Sequence, residues 1–233
     1  MLGLLSRWFQ RRPAASAEAE RALRDWAEPR GFTLRPVRDG AGVVIEGRSG
    51  NQAWRLEWGP SQRKYVQGGE LRLRAELGLA PELQLLVLNR SLQQAIEREV
   101  FEQYVDGVKT QIDDQTPPEM RWLVMFPQLT AADLGVLRET FAAAGSLRPW
   151  LLSWLQGPLT QALAAALPAP EHPLVLMIGR GRLMLRTACS EPDENQLNSW
   201  MRLFDVAMRE ARRAQQQTLP QELPVSPTPG AAG

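Results

Sequence analysis

Between Gln52 and Leu77 the chain twice alternates apolar and charged residues at a strict period of two. Trp54, Leu56 and Trp58 are separated by Arg55 and Glu57; Leu71, Leu73, Ala75 and Leu77 are separated by Arg72, Arg74 and Glu76. Successive side chains of a strand point to opposite faces, so this pattern demands two half-buried antiparallel strands with one wet face. The flanks extend the series. Phe32–Val37 and Val43–Glu46 read as strands divided by Asp39-Gly40, and Leu83–Leu88 as a more fully buried one. The outward charges Arg55, Glu57, Glu70, Arg72, Arg74 and Glu76 are placed to form cross-strand ladders.

Around this meander the period changes to that of helices. Ser16 opens a helix to Glu28 that Pro29 and Gly31 end, and Ser91–Gln94 has the form of a capping box. The helix from Ser91 runs to about Ile112, and its stripe of Leu92, Ile96, Val100, Tyr104, Val108 and Ile112 is expected on the dry face of the sheet. Thr116–Glu119 suggests a second cap, after which Met120–Phe126 reads as helix or as buried strand, with helix favoured. Leu134, Leu137 and Phe141 suggest another helix to Ala144. Leu174–Ile178 and Arg182–Thr187 flank Gly179-Arg180-Gly181, a hairpin signal. Ser190 is read as the cap of a long helix over 193–215, whose stripe is Leu197, Trp200, Met201, Phe204, Ala207, Met208 and Ala211. The expected fold is α+β: an antiparallel sheet of about five strands plus a C-terminal hairpin, packed against several helices. It forms one composite domain over 14–216, with a subdivision near residue 115 as the alternative.

Both ends read differently. In residues 1–13, Leu2, Leu4, Leu5, Trp8 and Phe9 gather on one side of a helical wheel, opposite Arg7 and Arg11, with Arg12 the one misplaced charge. That pattern suits weak, reversible contact with an anionic membrane surface, since each basic group near such a leaflet contributes about 1 kcal/mol. Residues 217–233 are proline-rich and too poor in apolar groups to offset chain entropy, so disorder is expected. Residues 149–170 carry no charge, but Gly157-Pro158 interrupts them, so two short buried helices are expected rather than a membrane span.

Composition narrows the chemistry. The 233 residues carry 27 Lys and Arg against 26 Asp and Glu, so no global field attracts nucleic acid. One cysteine and one histidine leave no basis for a zinc site, and no metal or cofactor is expected. Phosphate-binding glycine loops, GxSxG, HExxH and CxxC are absent. His172 reads as a loop residue. Cys189 reads as a small apolar filler, although the adjacent helix start could lower a thiol pKa. Asp106, Asp113, Asp114 and Glu119 cluster in sequence, in a stretch that also reads as a turn. Only Lys64 and Lys109 are lysine; the remaining bases are arginine, which grips phosphate and carboxylate bidentately. Arginines gather at Arg180, Arg182 and Arg186 and again at Arg209, Arg212 and Arg213, two candidate anion sites that would form one if the fold joined them.

These observations point to a non-catalytic binding or scaffold protein of a bacterial-type cytosol, with a protein as partner and its N-terminal segment at the cytoplasmic membrane face. The alternatives are a carboxylate–arginine enzyme sited near Asp113, Asp114 and Arg180, and an arginine-led binder of an anionic ligand. Nucleic acid is the less favoured ligand, for want of a recognisable module.

Overall fold

The computed structural model describes residues 14–37, 41–105, 116–167 and 169–218. The N-terminal segment 1–13, Asp106, Asp113, Asp114 and the tail from 219 onward lie outside the described residues. In chain order the elements are α1 Ala14–Ala27, β1 Thr33–Pro36, β2 Val43–Ser49, β3 Gln52–Pro60, β4 Gly69–Glu76, β5 Leu85–Asn89 and α2 Arg90–Val105. Then follow α3 Pro118–Met125, α4 Ala131–Leu134, β6 Phe141–Gly145, α5 Arg148–Leu155, α6 Pro158–Ala166, β7 Leu174–Gly179, β8 Arg182–Ala188 and α7 Glu194–Thr218. The fold is α+β, as the alternation of patterns requires.

All eight strands form one antiparallel sheet in the order β1-β2-β3-β4-β8-β7-β5-β6. The C-terminal hairpin is inserted into the middle of this sheet. β8 pairs with β4 (Leu73 opposite Leu185), and β7 pairs with β5 (Val87 opposite Leu176). Without β7 and β8 the meander β1–β4 and the pair β5–β6 would be separate pieces.

One face of the sheet is dry along its length. Trp54, Leu56, Trp58, Leu71, Leu73, Leu85, Val87, Leu176 and Leu185 pack there against α1, α5, α6 and α7. The whole predicted stripe of α7 is buried, and the Trp154 indole N–H donates to the Ala207 carbonyl at 3.0 Å, joining α5 to α7. The uncharged stretch 149–170 forms α5 and α6, with Gly157 at φ 66 turning the chain between them. Among the described residues, no helix is long and apolar enough to cross a membrane.

The opposite face changes character from one strand to the next. Under β5, β6 and β7 it is dry: Leu86, Leu88, Ala142, Val175 and Met177 pack against Leu92 and Ile96 of α2 and Met120, Trp122 and Leu123 of α3. The stripe of α2 therefore lies on the face that carries the charges of β3 and β4, not on the shared dry face expected for it. The reason is in β5 and β7, which are apolar at consecutive positions; such strands have two faces to bury and need a helical layer on each.

The helix expected up to Ala144 is instead α4, a 3-10 turn over Gly135–Leu137 and strand β6, because Gly135 at φ 53 ends the helix and the small residues of β6 fit between two helical layers. Ser91 does not cap α2: its hydroxyl donates to the Pro170 carbonyl at 2.7 Å. Ser190 does not cap α7 either, since Asp193 accepts from the Asn195 and Gln196 N–H groups at 2.8 and 3.0 Å. Ser190 takes the Gly69 N–H instead. A capping box does form at Thr130 and Asp133.

Candidate anion-binding cleft

The charged half of the second face is left open by α2 and α3. The outward residues of β2, β3 and β4 interlock as expected from the alternation: Glu57 lies opposite Arg72 and Glu46 opposite Arg55. Ion pairs run from Arg35 to Glu46 at 3.1 Å, from Arg55 to Glu57 at 2.7 Å and from Arg72 to Glu57 at 3.4 Å. Most of this surface satisfies itself, and exposed pairs of this kind contribute little to stability.

Where the open half meets α3, the surface sinks into a cleft of about 610 Å³. One wall is Thr116, Pro117, Pro118, Arg121, Trp122 and Met125, at the start and along the side of α3. The other is the β7–β8 hairpin, with Met177, Gly179, Arg180, Arg182, Met184 and Arg186; Arg63 and Gln84 complete the lining. Gly179 lets the walls approach, because a Cβ there would come within 2.6 Å of the Trp122 ring. Among the described residues, five arginines line the cleft and no carboxylate does.

The acids lie behind them. Glu119, the first acid of α3, is fully buried and accepts from the Arg63 guanidinium and from the Tyr65 hydroxyl. It is not the capping residue that its spacing from Thr116 suggests. Burial would push its carboxyl up, but the bonds and charge of Arg63 together with the Tyr65 bond outweigh that and hold it below the ordinary value. Burial first, and then Glu119, pushes the Tyr65 phenol well above its usual range. Glu70, also fully buried, holds Arg186, while Glu76 holds Arg182 at 2.7 Å. Two buried acids, Glu119 and Glu70, therefore stand behind the arginines, and a third, Glu76, pairs with Arg182 at the exposed surface.

Arg180 is the exception to this pairing. It shares the two-residue turn of the hairpin with Gly181, at φ 53 against φ 76, which is the backbone of a type I′ turn. A side chain in that region costs about 1 kcal/mol, and Asn or Gly is the usual occupant. Arg180 is exposed and has no ion pair among the described residues. Beside it, Arg186 is only 5% exposed and keeps a buried Nε–H with no hydrogen-bond partner among the described residues.

Of the two arginine groups legible in the sequence, the cleft takes Arg180, Arg182 and Arg186 and not the other. Arg209, Arg212 and Arg213 lie on α7, across the sheet. Arg212 donates to Gln52, while Arg213 donates to Glu210 at 2.6 Å and to the Ser153 carbonyl at 2.8 Å. The two groups do not form one site. Arg63 and Arg121, which complete the cleft, carry little local signal: Arg63 has only Lys64 beside it in the loop after β3, and Arg121 is a single base on a short helix. Thr116–Pro118, next in sequence to Asp113 and Asp114, does line the cleft together with Arg180.

His172 and Cys189 lie elsewhere. The imidazole stacks on Trp200 with ring centroids 5.6 Å apart, and its Nε2 is 2.9 Å from the Thr187 hydroxyl. Cys189 is buried, and burial followed by Asp193 pushes its thiol up to about 12, opposite to the lowering that a helix start could bring. Among the described residues no group of three or more His, Cys, Asp or Glu side chains is arranged to hold a metal ion. Compared with protein-family models, curated proteins and solved structures, the chain finds no match.

Proposed function

We propose that this protein is a non-catalytic binding module that holds an anionic ligand in the cleft between α3 and the β7–β8 hairpin. The observation that carries this reading is convergence. The loop after β3, the helix α3 and the hairpin are remote in sequence, yet each delivers arginine to one concave site. Arginine's planar fork suits phosphate or carboxylate, and a cleft of about 610 Å³ is of the size that takes a small molecule. The described lining offers guanidinium groups, one threonine hydroxyl and one amide, and no carboxylate, imidazole or thiol. Such a set holds charge better than it moves protons.

Titration of the full chain with inorganic phosphate at physiological salt, followed by amide NMR, tests the reading. Shifts concentrated at Gly179–Arg182 and Thr116–Trp122 support it; absent or scattered shifts remove it. Weak contact of residues 1–12 with an anionic membrane surface belongs to the same proposal. It rests on the amphipathic pattern of Leu2, Leu4, Leu5, Trp8 and Phe9 with Arg7, Arg11 and Arg12. Flotation with anionic vesicles, with and without those residues, decides it, and equal flotation of both chains would discard it.

A further inference from the structure

We infer that the ligand of this cleft is a small amphiphilic anion: one phosphate or carboxylate group carried on an apolar chain or ring. The inference rests on the binding reading above and adds the ligand's other half. The cleft contains two chemistries side by side. Its charged part is the arginine set at the hairpin and at Arg63; its apolar part is Met125, Met177, Met184 and Trp122. Met177 and Met184 are direct cross-strand partners on the hairpin, so their side chains share one face of the sheet, Met184 half-buried and Met177 buried against the helical layer where the cleft begins. Met125 approaches from α3 and is 63% exposed, a large apolar side chain at the surface of the cleft.

Three of the chain's seven methionines therefore line one site. A site for a bare inorganic ion needs no apolar lining, because every surface of such an ion seeks a hydrogen bond. A polyphosphate would leave the methionines wet. Methionine, unbranched and polarisable, adapts to apolar bodies of varied shape. The charge is placed correspondingly: Arg180 projects from the hairpin tip without an ion pair among the described residues, while Arg186 is held in the wall by Glu70. An anionic head seated on the arginines leaves its chain to run over the methionines.

Calorimetry on the full chain tests this with octyl phosphate below its micelle concentration, inorganic phosphate and vesicles containing phosphatidic acid. Each methylene removed from water is worth about fourfold in affinity. Partial burial of the eight-carbon chain should therefore make octyl phosphate at least tenfold tighter than inorganic phosphate. Met125→Ser, at an exposed position where folding is not at stake, should reduce that advantage severalfold. Equal affinity for the two soluble ligands would overturn the inference while sparing the anion site. Binding to the vesicles alone would overturn it in favour of a lipid surface. Failure of both soluble ligands to bind, with no vesicle binding either, would take the anion site with it.

Discussion

Arg72 and Arg186 stand directly opposite one another across the β4–β8 ladder, and the buried carboxylate of Glu70 holds both. Like charges paired across a sheet destabilise it, so this contact depends on a third residue. Glu70 also accepts the Gln62 N–H at 2.8 Å, which ties the loop carrying Arg63 to the same point. One carboxylate thus supports the cleft from beneath at two places.

Glu70→Gln should accordingly be costly. It leaves Arg186, nearly fully buried, without its counter-charge, and leaves the opposed Arg72 with Glu57 alone. Removing one partner of a buried pair costs about 3–5 kcal/mol, and partial exposure of Arg72 favours the lower end. Urea unfolding should show the loss, and it should be larger at low salt. A double change of Glu70 and Arg186 to methionine should cost less than Glu70→Gln, since no buried charge is then left unpaired.

Arg180→Asn should separate stability from binding. The turn has the backbone for which Asn-Gly is favoured, so the change should stabilise the fold by roughly 0.5–1 kcal/mol. Phosphate affinity should fall severalfold in the same variant. A stabilised protein with undiminished binding would show that the arginine serves nothing in the cleft.

The single histidine makes one pH effect assignable. Burial holds the His172 imidazole below its ordinary 6.5. Its folded pKa is depressed, so the unfolded chain binds the proton first. Its contribution to stability is thus complete above the unfolded value and is lost as pH falls through that value toward the folded one. Unfolding measured from pH 7.5 downward should show stability declining below about pH 6.5. His172→Asn should flatten that slope, and NMR titration of the imidazole should place its pKa beneath 6.5.

Cys189 should be inert. A thiol raised to about 12 by burial and by Asp193 holds almost no thiolate at pH 8. A disulfide reagent should leave the native protein unlabelled over hours and label one thiol per chain in urea. Rapid labelling of the folded protein would contradict the packing around β8.

The candidate site was legible in part. The Gly179-Arg180-Gly181 turn and the arginines of β8 stand close together in sequence, so local pattern was enough to mark them. Arg63, Arg121 and the methionines gave no such mark, because nothing within a few residues of each records what lies across the cleft. The FAAAG strand was misread for a related reason: alanine favours helix in isolation, and the layers on both sides that make a strand of it come from remote segments.

What the sequence determined by itself was each element's relation to water. Alternation made β3 and β4 half-wet, the three-four stripe committed α7 to a core, and the consecutive apolar residues of β5 and β7 required two dry faces. Which elements would meet was decided by the tertiary structure: the hairpin between β4 and β5, α2 on the charged face, Arg63 beside Arg186, and Arg209 across the sheet from all of them. Periodicity registers burial one side chain at a time. Strand pairing and convergence on a cleft depend on contacts summed over distant parts of the chain, and those exist only once it has folded.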